Sequence, residues 1–126
     1  MHAPEVEQEL SGRVAFVMGG SSGIGLACAE LFSRLGASVA IFVHQPDTHE
    51  QASRLQNSGF AVHGVLGDGA VSSDVRGAVE ETIQRFCGLD ILLNAAAIHP
   101  LGDVVATDEA TWDRTMAVNV KSYYLT

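Results

Sequence analysis

An unbroken apolar stretch, Val14-Ala15-Phe16-Val17-Met18, runs straight into a loop with glycines at 19, 20, 23 and 25, and an amphipathic pattern begins at once behind it. Strand, tight turn and helix start in immediate succession make the geometry that holds a phosphate against exposed backbone N–H groups. In that reading Gly19 and Gly20 let the chain turn sharply out of the strand. Gly23 lets the backbone approach a pyrophosphate where a Cβ would collide, and Gly25 lets the helix pack closely on the strand behind it. Ser21 and Ser22 add hydroxyl donors. No Gly-Lys-Ser/Thr follows, which excludes a P-loop. The competing reading is a plain glycine-rich turn, and the strand–helix context weighs against it.

The rest of the chain repeats the alternation. Short apolar runs at Arg13–Met18, Ser38–Val43, Phe60–Leu66 and Asp90–Asn94 are separated by helical patterns. Val39-Ala40-Ile41-Phe42-Val43 and Ile91-Leu92-Leu93 are continuously apolar, as parallel strands covered on both faces should be. Ile24/Cys28/Leu31/Leu35 and Val71/Val75/Val79/Ile83/Phe86 recur at helical spacing and predict two packed helix faces. Residues 47–58, with Ala52 and Leu55 as apolar contacts, predict a surface helix. A last helix is expected from near Thr107, with Trp112, Met116, Val120 and Tyr123 on one side. Gly36, Gly59 and Gly88 stand where helices should end in the left-handed conformation. Asp47 with Glu50, and Thr107-Asp108-Glu109, supply capping groups and early acids. Four strand–helix pairs in series mean an α/β fold, a Rossmann-type doubly wound parallel sheet of four strands over residues 13–126, preceded by a solvated tail at 1–12.

Charge and composition narrow the function. A net charge of −8 argues against nucleic acid, whose binding depends on Lys and Arg neutralising phosphates. It does not forbid an anionic small molecule. Exposed charges beyond about 8–10 Å are screened at cellular salt, whereas amides at a helix N-terminus touch the anion directly. No apolar run reaches the roughly 18 residues that a membrane span requires. The first twelve residues have no basic region and no apolar core, so they do not read as a secretory signal, and a cytoplasmic location is expected. Cys28 and Cys87 form no CxxC pair and are expected as free thiols. Histidines 2, 44, 49, 63 and 99 show no ligand spacing, so no metal is expected.

Three motifs together carry a resemblance. Gly19-x-x-x-Gly23-x-Gly25 is followed by Leu89-Asp90-Ile91-Leu92-Leu93-Asn94-Ala95-Ala96-Ala97-Ile98 and by Trp112-Asp113-Arg114-Thr115-Met116-Ala117-Val118-Asn119-Val120. In this order and spacing, from about Leu10 to Thr126, the chain resembles the short-chain dehydrogenase/reductase family. The resemblance implies a Rossmann sheet and hydride transfer between NAD(H) or NADP(H) and a carbonyl or alcohol. By the same resemblance Gly19, Ser21, Ser22, Gly23 and Ile24 would line the cofactor's phosphates, with Gly25 completing the motif. Asp68 matches the acid that hydrogen-bonds the adenine amino group, although Gly67-Asp68-Gly69 is also an ordinary turn. Asn94 and Ala96 match the loop beside the nicotinamide ribose, and Asn119 matches the active-site asparagine.

The sequence departs from the family pattern in places. Met18 stands where the family usually has Thr, and Asn94-Ala95-Ala96-Ala97 stands where it has Asn-Asn-Ala-Gly. If position 97 needs the room that only glycine gives, Ala97 should push the loop outward and loosen the nicotinamide end. An acid at the end of the second strand would select NAD by repelling a 2′-phosphate. Val43 and His44 occupy that place, which tilts the choice toward NADP. Ser22 lacks the base that NADP-preferring members often carry.

The family's acid–base Ser and Tyr-x-x-x-Lys cannot be placed in this sequence, since neither Tyr123 nor Tyr124 has a lysine four residues on. Positioned acid–base groups contribute about 10² to 10⁴ in rate each, so little turnover is expected of these residues alone. The fourth strand should be an uncovered apolar edge. The last stripe still runs at Tyr123-Tyr124-Leu125, as in a fold cut near its middle. The expectation is the cofactor-binding half of an NAD(P)-dependent oxidoreductase acting on a small carbonyl or alcohol, with homo-oligomerisation through the last helix. The alternative is a non-catalytic dinucleotide-binding or dimerising module.

Overall fold

The computed structural model describes residues 7–44 and 48–126. Four strands, β1 (Val14–Met18), β2 (Ser38–Val43), β3 (Val62–Leu66) and β4 (Ile91–Asn94), form one parallel sheet in the order β3-β2-β1-β4. Helix α1 (Gly23–Arg34) joins β1 to β2, α2 (Thr48–Asn57) joins β2 to β3, and α3 (Ser72–Phe86) carries the chain back across the sheet to β4. That return puts β4 on the far side of β1, with Phe16 level with both Ala40 and Leu92. The topological switch between β1 and β4 thus lies at the sheet's carboxyl end, where open α/β sheets place their ligands.

The continuous apolar runs bury both faces of the central strands, as expected of a covered parallel sheet. Ala15, Val17, Val39 and Ile41 pack toward Ala29 of α1 and Ala52 and Leu55 of α2. Phe16, Met18, Ala40 and Phe42 pack toward Val75 and Ala78 of α3. The Phe16 and Phe42 rings stack at 5.7 Å between centroids. Each large side chain removed from water in this way stabilises the fold by about 1.5–3 kcal/mol before entropy is counted. β4 has no strand on its outer side among the described residues, and Leu92 is 43% exposed.

Several local expectations need correction. The buried face of α1 is Gly25, Ala29 and Ser33, while Ile24 and Leu31 are exposed. Ala29 belongs to the core packed on that side of the sheet, and Gly25 lies against the Gly19 carbonyl, where a larger residue has no room. On α3 the buried residues are Val75, Ala78 and Thr82, and Ile83 is exposed. Gly36 and Gly59 take the left-handed backbone expected of them, but at the end of α3 that conformation falls on Cys87, at φ 64°, and not on Gly88. Strands β1, β3 and β4 begin one or two residues later than their apolar runs. Asp47 lies outside the described residues, as do residues 1–6. From Glu7 onward the chain is described, and Leu10 packs against the core and donates its N–H to the Leu35 carbonyl at 2.9 Å.

The last helical stretch is not one regular helix. α4 (Glu109–Met116) is capped by Asp108, whose carboxylate accepts the Thr111 N–H, while the Thr107 hydroxyl bonds the Asp103 carbonyl instead. A π turn follows at Ala117–Lys121, and α5 (Ser122–Leu125) closes the stretch. A π turn takes one extra residue per turn and so rotates everything beyond it. Trp112, Met116, Val120 and Tyr123 are all exposed. No helix among the described residues is long and apolar enough to cross a membrane.

Candidate functional site

A cleft of about 610 Å³ opens over the carboxyl ends of β1 and β2, between the loops that follow β1, β3 and β4. That size falls within the range of small-molecule sites. Its floor is the glycine loop. Gly19 has φ +82°, and a Cβ there would lie 2.6 Å from the Ala96 nitrogen, so only glycine lets the two loops touch. The Gly19 N–H donates to the Phe42 carbonyl at 2.7 Å and ties the loop to β2. Gly25 has a role slightly different from the expected one. Its missing Cβ would sit 2.1 Å from the Gly19 carbonyl oxygen, so it makes room for its own loop and not for the strand.

Gly23 has φ +54° and nothing within 4 Å of where its Cβ would be. It starts α1 beside an N-cap, Ser22, whose side chain makes no capping bond, and the first turn carries no acid. The first bond across that turn runs from the Leu26 N–H to the Ser22 carbonyl at 3.2 Å. The amides of Gly23, Ile24 and Gly25 therefore have no partner within the helix. An uncapped start with about half a positive charge, no local carboxylate and free space in front of it suits a bound anion.

One wall is built by His44, at the end of β2, and by Asp68, after β3. The Asp68 side chain is only 19% exposed. Its Oδ1 accepts the Ala70 N–H at 2.9 Å, its Oδ2 accepts from Arg114 Nη1 at 2.8 Å, and its own N–H donates to Asp74 Oδ2 at 2.9 Å. Burial by itself would raise the Asp68 pKa. The hydrogen bond and charge of Arg114, with the Ala70 N–H and nearby His44, outweigh it and hold the carboxyl below the usual aspartate range. Arg114 lies on α4, in the Trp112–Val120 motif, and sequence reasoning gave it no role. Nothing in the sequence pairs two residues 46 positions apart.

At the other end of the cleft, Ala95, Ala96, Ala97 and Ile98 line the opening, and Ala95 N–H bonds the Met18 carbonyl at 2.9 Å. Asn119 does not line the cleft. Its Oδ1 accepts the Ile98 N–H and its Nδ2 donates to the Ile98 carbonyl, both at 2.8 Å, so the π turn holds this loop at two points. Asn94 is also outside the lining, with Oδ1 accepting from the Thr126 hydroxyl at 3.1 Å. Ala97 is not left-handed, so its backbone does not demand glycine. Met18 is buried, and its sulfur lies 3.1 Å from where a Gly69 Cβ would be. The thioether occupies space that Gly69 leaves free. Of the expected site residues, the structure thus brings Gly19, Ser21, Ser22, Gly23, Ile24, His44, Asp68 and Ala96 to one cleft, while Gly25, Asn94 and Asn119 do not line it.

A parallel sheet with a glycine-rich first turn, a cleft at its topological switch and an uncapped helix start define a Rossmann-type nucleotide-binding fold. Comparison with known proteins gives the family. The model described as short chain dehydrogenase matches residues 13–126. An uncharacterized oxidoreductase of Thermotoga maritima is 37% identical over 115 residues, covering 90% of this chain and 45% of the relative. The mitochondrial dehydrogenase/reductase SDR family member 2 of Homo sapiens is 36% identical over 90% of this chain and 41% of its own length. The crystal structure of a short chain dehydrogenase from Burkholderia cenocepacia, in complex with NADP, superposes with a TM-score of 0.87 at 32% identity, covering 93% of this chain and 49% of that one. The chain belongs to the short-chain dehydrogenase/reductase family. It spans about half the length of the curated relatives it matches.

Proposed function

We propose that these residues form the cofactor-binding half of an NAD(P)-dependent oxidoreductase that moves hydride between a nicotinamide and a small carbonyl or alcohol. The observation that carries the reading is the start of α1: unpartnered amides, no acid in the first turn, and open space at a left-handed Gly23. Gly19, Ser21, Ser22, Gly23 and Ile24 would hold the diphosphate, with Gly25 keeping the loop in shape. Asp68 would accept from the adenine amino group. Asn94, Ala96 and, through Ile98, Asn119 would shape the nicotinamide end. When bound, the reduced cofactor would supply the hydride to a carbonyl and the oxidised one would accept it from an alcohol.

NADP is favoured over NAD because His44, and not an acid, borders the cleft at the end of β2. The Burkholderia cenocepacia relative, solved in complex with NADP, supports the same choice. Within these 126 residues no tyrosine precedes a lysine by four positions. The chain by itself is therefore expected to bind a dinucleotide without useful turnover. Homo-oligomerisation through the last helix is supported by the exposure of Trp112, Val120 and Tyr124 at 60%, 55% and 86%. A cytoplasmic location completes the proposal.

Isothermal titration of the 126-residue chain with NADP and NAD tests this reading. Saturable one-site binding, tighter for NADP, is the expected result. Absence of heat and of thermal stabilisation with either dinucleotide refutes it.

A further inference from the structure

The geometry points to Arg114 as a positioning residue that fixes the Asp68 carboxylate for recognition of a purine amino group; this rests on the dinucleotide reading above. Asp68 lies in a short turn flanked by Gly67 and Gly69, so its side-chain direction is not set by regular structure. Two bonds set it: the Ala70 N–H on Oδ1 and Arg114 Nη1 on Oδ2, at 2.9 and 2.8 Å. An ionised carboxylate has about four acceptor positions. Two are taken here, which leaves two to accept from a ligand. The Ala70 bond is local and leaves the carboxylate free to pivot. Arg114 comes from a different element and removes that freedom. Both residues line the cleft that holds the glycine loop.

The arrangement also gives α4 a function. The helix has no buried residue of its own. It reaches the cleft through Arg114 at one end, and the π turn that continues it reaches the cleft through Asn119 and Ile98 at the other. The two ends of the cleft are thus held by one helical stretch. Replacing Arg114 should release the acceptor at the base end and leave the phosphate-binding amides of α1 untouched.

Three probes separate this role from others: NAD, NADP and nicotinamide hypoxanthine dinucleotide, in which a carbonyl replaces the adenine amino group. A hydrogen bond to a charged group corresponds to roughly tenfold or more in affinity. The wild-type chain should therefore prefer NAD to the hypoxanthine analogue by about that factor. In Arg114→Met the preference should fall to about twofold or less, as in Asp68→Ala, while Arg114→Lys should recover part of it. The NADP-to-NAD ratio should not change. A general structural defect would weaken all three probes alike, and circular dichroism melts of each variant report the fold directly. Full base preference in Arg114→Met would overturn the inference while leaving the cofactor site standing. So would a wild-type chain that binds NAD and its analogue equally. Loss of NADP binding alone in Arg114→Met would assign the guanidinium to the 2′-phosphate instead. If the wild-type chain binds none of the probes, the inference fails together with the dinucleotide reading.

Discussion

Gly23 and Gly59 offer a controlled comparison. Both are left-handed, at φ +54° and +90°, and neither has an atom within 4 Å of its missing Cβ. Alanine at either position meets no protein neighbour and faces a left-handed backbone penalty. That penalty is about 1–2 kcal/mol for an L-residue in the left-handed region. It is offset by roughly 0.4–1 kcal/mol because alanine restricts the unfolded chain more than glycine does. Each substitution should therefore cost about 1 kcal/mol and lower Tm by about 4 °C. Their effects on binding should differ. Gly59 ends α2, where its N–H bonds the Gln56 carbonyl, and it is not part of the cleft. Gly23 opens α1 at the cleft floor, and a methyl group there takes the space in front of the free amides. Loss of one charge-assisted hydrogen bond, about 1.5–3 kcal/mol, should weaken NADP binding by roughly 10- to 100-fold in Gly23→Ala and leave Gly59→Ala unchanged. Differential scanning fluorimetry gives the Tm values and isothermal titration the affinities. Equal affinity in the two variants would show that the space at Gly23 is not the ligand's.

Gly25→Ala should destabilise despite a helix propensity gain of about 1 kcal/mol. Its Cβ lands 2.1 Å from the Gly19 oxygen, and overpacking of that kind costs about 1–3 kcal/mol. A Tm at or above wild type would refute the close approach. Met18→Ala, at a position 1% exposed, should lose about 2–5 kcal/mol, read as a lower urea midpoint with an unchanged m-value. Acid should weaken the fold with a defined sign. Asp68 and Asp108 both have pKa values held below the usual aspartate value, Asp68 by Arg114 and Ala70 against its burial, Asp108 by the Thr111 bonds. Their stabilising effect is complete above the unfolded value of about 4 and is lost as pH falls through the lower folded values. Urea melts from pH 7 to pH 3 should show this loss, with a shallower slope in Arg114→Met. An identical slope would mean the ion pair contributes nothing.

Local pattern sufficed for the order of elements and for the glycine loop, because both depend on short-range constraints. Continuous apolar runs demand coverage on two faces, and the left-handed helix ends at Gly36 and Gly59 follow from residue type, whereas at the end of α3 that conformation falls on Cys87 and not on Gly88. Apolar spacing does not mark the buried face of α1, for a physical reason: apolarity marks what water rejects, whereas close approach to the Gly19 loop selects for small size at Gly25. Ile24 lines the cleft, as the family resemblance implies, and not the core. The π turn at Ala117–Lys121 was equally invisible, because its residues have no composition that separates them from the α4 helix before it.

The chain's own sequence thus determined a strand–glycine–helix unit able to receive an anion, and four such alternations in a parallel sheet. Only the tertiary structure decided how the cleft is walled. Its β3-β2-β1-β4 order carries α4 to the far side of the opening. There Arg114 meets Asp68 from 46 residues away and Asn119 grips Ile98 from 21. Such pairs follow from where a crossover places a helix, and no spacing along a linear chain encodes that distance in space.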